Sequence, residues 1–163
     1  MERKAIATMM MLAFLALTLV PVQTVSAKTL KFDAVITFDD WGTPGPLHPE
    51  STMYWKGSIS GGVSGTCYFW EKEKNYVVGK VEHFFEDFYI DLGDGWISGY
   101  DNGVWNFPTF KFRASGRVTD ASENYAYLIG SKFYEEGRTT NPFDAQGNMV
   151  LPIGGIGTGF IGP

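Results

Sequence analysis

The sequence predicts an all-β fold: a single antiparallel β-barrel of about eight strands, with a β-sandwich as the alternative, behind an N-terminal signal helix. Three observations predict it. All 20 Gly, 5 Trp and 8 Tyr, and 12 of the 13 Phe, lie after Ala27; this composition suits half-buried pleated surfaces better than a helical bundle. Several segments alternate apolar and polar residues with a period of two, and no helical spacing runs over ten or more residues after Ala27. Gly65, Gly79 and Gly93 are spaced by fourteen, as are Gly116 and Gly130, which is the length of one strand plus one turn. Regularly placed bends favour a closed barrel over a flat sandwich.

Residues 1–27 read as an export signal: Arg3 and Lys4, an apolar stretch over residues 5–22, then Val25-Ser26-Ala27 as small residues for a peptidase. The other reading of the same stretch is an uncleaved membrane anchor. Cleavage near Ala27 delivers residues 28–163 as one domain, secreted, extracellular or periplasmic, whose tie to a membrane is the signal segment alone. The single cysteine, Cys67, cannot form an intrachain disulfide, so the fold rests on its core, where Cys67 is expected as a small buried hydrophobe. The net charge of −5 disfavours nucleic acid as a partner.

The strands follow in order. Leu30, Phe32, Ala34, Ile36 and Phe38 line one face of the first. Met53, Trp55, Gly57 and Ile59 do so in the second, and Phe110, Phe112, Ala114, Gly116 and Val118 in the cleanest case. Others are expected at 64–71, 76–90, 96–102 and 125–134, with Gly79, Gly99, Gly116 and Gly130 inside strand patterns as bulges or bends. Residues 39–52 form a proline-rich loop that can cover one end, and the glycine-rich tail 149–163 can add an edge strand.

Residues 76–91 do not alternate cleanly. One face carries Glu82, Phe84, Glu86, Phe88 and Ile90; the other carries Val81, His83, Phe85, Asp87, Tyr89 and Asp91. In a closed barrel either orientation brings ionisable groups into an aromatic interior, where desolvation raises a carboxyl pKa and makes a general acid. The stronger apolar set makes the first face the inner one, with Glu86 as the candidate catalytic carboxylate; Asp87 with His83 is the alternative pair. A bland reading puts Glu82 and Glu86 at the barrel mouth or pairs them with an arginine. Glu82 and Glu86 lie about 13 Å apart on one strand face, too far for a glycosidase pair. Nucleophile-elbow, phosphate-loop and zinc signatures are missing, so no metal or cofactor is expected. The Asp91-Leu-Gly-Asp-Gly and Asp101-Asn-Gly fragments lack a calcium loop's spacing and read as hairpin turns. Trp55, Phe84, Phe88, Trp105, Phe110 and Phe112 are the expected ligand-binding aromatics, with Trp41 and Trp105 nearest an opening.

The stretch from Gly95-Trp96-Ile97-Ser98-Gly99 through Gly103-Val104, followed by Phe112-Arg113-Ala114-Ser115-Gly116-Arg117-Val118, resembles the glycine-punctuated strand pair and Ala-x-Gly-x-Val strand of the allene oxide cyclase and dirigent type of small, calycin-like barrel. The resemblance covers about a third of residues 28–163. It implies binding of hydrophobic or phenolic small molecules and, in some members, control of their cyclisation or coupling without a cofactor. Glu86 is the nearest match to a cavity carboxylate, and no catalytic position is carried over. Three functions follow as expectations: a secreted barrel binding a small apolar or amphipathic ligand in an aromatic cavity; a cofactor-free isomerase or cyclase using Glu86; and an extracellular glycan- or protein-binding module that uses exposed aromatics with Lys111, Arg113 and Arg117. A homo-oligomer is compatible with each.

Overall fold

A computed structural model describes residues 28–38, 54–72 and 75–163. The expected signal segment, the 39–52 loop and Trp41 lie outside these residues. The described elements are β1 (Leu30–Phe38), β2 (Tyr54–Gly61), β3 (Gly65–Glu71), β4 (Tyr76–Val78), β5 (Val81–Asp91), β6 (Trp96–Asn106), β7 (Lys111–Ala121), a 3₁₀ helix (Glu123–Leu128), β8 (Lys132–Thr139) and β9 (Ile153–Gly162).

All pairings are antiparallel, and the order β3-β2-β1-β9-β8-β7-β6-β5 is closed by a further ladder between β3 and β5. The result is an eight-stranded barrel, not a sandwich, with the short β4 as an extra strand paired to the start of β5. Closure removes the exposed sheet edges that a sandwich would have to protect. Period two then fixes which residues enter the interior. Phe32, Ala34, Ile36 and Phe38 of β1 are buried, while Lys31, Asp33 and Val35 face out. An eight-stranded barrel leaves an interior that side chains can fill, and here they fill it unevenly. β1, β2, β3 and β5 contribute bulky rings such as Phe32, Trp55, Phe69, Phe84 and Phe88. Strands β6 to β9 intersperse small residues among their own rings: a side chain at Gly103 would meet Ala114, and one at Gly157 would meet the Phe112 ring. Phe133 is the hub of the lower core, with ring centroids 4.3 Å from Phe88, 5.7 Å from Phe32 and 6.4 Å from Phe69. Leu128 of the 3₁₀ helix is fully buried in the same core.

Several expected elements are corrected. The run 76–90 is not one strand: Gly79, at φ +64°, turns the chain between β4 and β5, a conformation that glycine adopts without strain. The run 125–134 is mostly the 3₁₀ helix and the turn after it, with Gly130 at φ +85°, and β8 starts only at Lys132. Phe110 is not a strand residue; it holds a left-handed backbone (φ 56°) in the turn before β7, off the inner row that starts at Phe112. The glycine-rich tail is not an edge: β9 lies between β8 and β1 and completes the barrel. The expected irregularity at Gly99 is present, as a register shift between Ser98 and Gly99.

Candidate functional site

The upper end of the barrel is where β1, β3, β6 and β8 finish and β2, β5, β7 and β9 begin. It holds a small, partly open cavity of about 30 Å³. Its apolar wall is Ile36, Trp55, Phe69, Phe84, Trp105 and Phe112; its polar wall is Glu71, Glu86, Glu135 and Thr139. Trp55 and Trp105 meet edge to face with centroids 6.2 Å apart, and Phe107 stands edge-on to Trp105 at 5.2 Å. Both indoles are anchored by their N–H groups. Trp55 Nε1 donates to Glu71 Oε1 at 3.0 Å and Trp105 Nε1 donates to Thr139 Oγ1 at 3.1 Å, which fixes both rings as walls. The amide of Asn75 donates to the other Glu71 oxygen, while its own oxygen accepts from the Phe85 N–H at 2.9 Å.

Below this cavity three carboxylates converge. Alternation on β5 buries Phe84, Glu86, Phe88 and Ile90 together, so Glu86 points into the barrel. Asp101 stands directly opposite it on β6, and Glu135 enters from β8. Between β6 and β8, the inner row of β7 offers only Ala114, opposite Glu135, and Gly116, opposite Asp101. That small-residue gap lets carboxylates from strands two apart approach each other: one oxygen from each of Glu86, Asp101 and Glu135 lies within 4.8 Å of the others. All three are buried, and among the described residues no lysine or arginine pairs with them. A carboxylate in such surroundings is costly to ionise. Burial therefore lifts Glu86 well above the usual carboxyl range, helped by the nearby charges of Asp101, Glu71 and Glu135. Burial, with Asp101 beside it, does the same for Glu135. Burial likewise lifts Asp101 to about 7, although it accepts a hydrogen bond from Glu86. At the mouth Glu71 is pushed up to about 7 by burial and the charge of Glu82, against its hydrogen bonds from Trp55 and Asn75, and burial also raises Glu82. The site is a set of carboxyl groups whose ionisation burial makes costly, inside an aromatic enclosure.

Of the sequence-derived candidates, Glu86, Trp55, Phe84, Trp105 and Phe112 share the cavity wall, whereas Phe88 is deeper, stacked on Phe133. Phe110 is in the turn and off the wall. The alternative pair is outside the barrel: Asp87 forms an ion pair with Lys72, and His83 stacks on Tyr76 with centroids 4.7 Å apart. Lys111, Arg113 and Arg117 are on the wet face of β7, and the first two border an open outer groove of about 910 Å³ that none of the three interior carboxylates reaches.

Asp101, Glu135 and Glu71 escape the sequence reading. Asp101-Asn-Gly imitates a hairpin turn but lies in mid-strand, where the alternation Ile97, Gly99, Asp101, Gly103, Trp105 points Asp101 inward. Glu135 is one residue beyond the strand expected at 125–134, and the row Phe133, Glu135, Gly137, Thr139 is the signal that reveals it.

The class the fold defines is therefore a closed antiparallel eight-stranded barrel with an acidic interior. Comparison with known proteins returns no matching family model, no matching curated protein and no matching solved structure.

Proposed function

We infer that this is an exported barrel that binds a small amphipathic molecule at its aromatic end, with the molecule's polar group directed toward the interior carboxyls. One observation carries this reading: Glu71, Glu86 and Glu135 are set in the wall of a cavity otherwise built from indole and phenyl rings, Ile36 and Thr139. An apolar enclosure with a few convergent polar groups is the usual form of a small-molecule site. A protonated carboxyl donates one hydrogen bond, so the matching ligand has a carbonyl, ether or hydroxyl oxygen at one end and an apolar or phenolic body at the other. About 30 Å³ is room for one water. The polar tip therefore enters this space and the body rests against Trp55, Trp105 and Phe107 at the mouth. The residues resembling the allene oxide cyclase and dirigent group support the same ligand class.

The test is a panel of oxygenated lipids and phenols, read by tryptophan emission and melting temperature. Binders are expected to quench the emission and raise the melting point, and Trp105→Ala is expected to abolish both effects. Flat responses across the panel overturn the reading. The raised pKa of Glu86 favours a second reading, a cofactor-free isomerase in which the Glu86 carboxyl protonates a ligand oxygen. Glu86→Gln should then bind ligand but convert none of it, and full turnover in that variant excludes the role.

A further inference from the structure

We propose that Glu86, Asp101 and Glu135 form a binding site for a single hard divalent cation, of the size of Ca²⁺ or Mn²⁺, inside the barrel. The inference shares Glu86 and Glu135 with the proposed ligand site but rests on their approach to Asp101, and its test needs no organic ligand. Its first support is geometric. Three oxygens spaced at most 4.8 Å apart lie about 2.8 Å or less from a common centre when evenly arranged. Shifts of a few tenths of an ångström bring that to the 2.3–2.6 Å of calcium–oxygen bonds.

The second support is Asp101 itself. It is 2% exposed, and apart from a proton on the Glu86 carboxyl no donor of the described residues reaches either of its oxygens. Buried polar atoms are satisfied in the great majority of cases, and a single Glu86 proton leaves the second Asp101 oxygen open to a positive partner. Among the described residues no lysine or arginine forms an ion pair with it, and Lys72, whose charge acts on it from a distance, pairs with Asp87. The ligand chemistry is restrictive: the three groups offer carboxylate oxygen only, and the one nearby sulfur, Cys67, has a thiol that burial holds in its neutral form. An all-oxygen set selects hard cations over zinc or copper. Three carboxylates can supply up to six oxygens, and the adjoining 30 Å³ cavity, walled by Glu86 and Glu135, has room for a coordinated water. Protons and a cation are alternative counter-charges for the same three groups.

The experiment is calorimetric titration of EDTA-treated protein with CaCl₂ and with MnCl₂ at pH 8. The site is then located by Mn²⁺-induced broadening in the NMR spectrum. One ion per chain is expected, with selective loss of the Ala114 methyl and Gly116 amide signals, which belong to the strand between Asp101 and Glu135. Asp101→Asn should weaken binding by at least about 100-fold, while Asp87→Asn, on the outer face, should leave it unchanged. The broadening is read on the wild-type protein, so the test survives a variant that fails to fold. No binding of either ion up to millimolar concentration overturns the proposal. So does broadening confined to the exposed turn around Asp144, Gln146 and Asn148 while Ala114 and Gly116 stay sharp.

Discussion

Glu86 and Asp101 occupy directly opposed positions on β5 and β6, both pointing into the barrel. When both are ionised, neither Asp101 oxygen has a hydrogen-bond donor. When Glu86 keeps its proton, its O–H donates to Asp101 and one charge disappears from the interior. The pair thus makes the folded state hold protons that the unfolded chain releases.

Stability should consequently fall as pH rises. A carboxyl whose folded pKa is raised binds more protons in the folded than in the unfolded state between the two pKa values, so each pH unit in that window costs about 1.4 kcal/mol per group. For Asp101 the window runs from 3.8 to about 7, and for Glu71 from 4.5 to about 7. Glu86 and Glu135 extend it above their ordinary value. Urea titrations of the EDTA-treated protein should show it several kcal/mol less stable at pH 8 than at pH 5, and Glu135→Gln should flatten that slope. A profile that rises toward pH 8 would falsify the proton-holding interior.

Phe133 touches rings from three other strands, β1, β3 and β5. Truncation to alanine removes those contacts and leaves a cavity that the ladders around it cannot close. The expected loss is about 3–5 kcal/mol. Val35→Thr, at a position 59% exposed on the outer wall, should stay within about 0.5 kcal/mol. Chemical denaturation of the two variants at one pH checks the contrast.

Cys67 provides a built-in reporter of opening. It is fully buried, and its thiol is pushed up to about 12 by desolvation and by the charge of Glu135. The thiolate is the reactive form. Native protein at pH 8 should therefore ignore a disulfide reagent such as DTNB, and in dilute urea its labelling should follow the unfolding rate. Rapid labelling without denaturant would show that the β2–β3–β5 wall opens locally.

Much of the fold is legible in the sequence because alternation is a direct record of which side of a sheet a residue faces. β1 was readable to the residue, and the inner row of β5 followed from the weight of Phe84, Phe88 and Ile90. What misled was local chemistry that serves two structures. Asp-Asn-Gly suits a turn, yet in β6 the glycine makes room for the Phe84 ring and the aspartate enters the core. Tyr125 and Tyr127 look like strand residues, but Tyr125 reaches out to hydrogen-bond Asp94 at 2.7 Å and holds the 3₁₀ turn against the β5–β6 hairpin. The three-carboxylate cluster could not be read from spacing, since its members come from three strands and meet only when the barrel closes.

Closure itself has a consequence for how the molecule is made. Every other ladder joins strands that are near neighbours in the chain, but β1 pairs with β9 along its whole length, from Leu30 opposite Ile161 to Phe38 opposite Ile153. During synthesis the earlier strands can curl together as they emerge, while the unpaired flanks of β1 and β8 wait for β9. The interior carboxylates are enclosed only once the ladders of β9 to β1 and β8 are made. The same adjacency places Thr29 beside Gly162. A circular permutant joined there and reopened in the β6–β7 turn would reverse the order, so that β1 and β9 pair early and the acidic strands β5 and β6 close the barrel last.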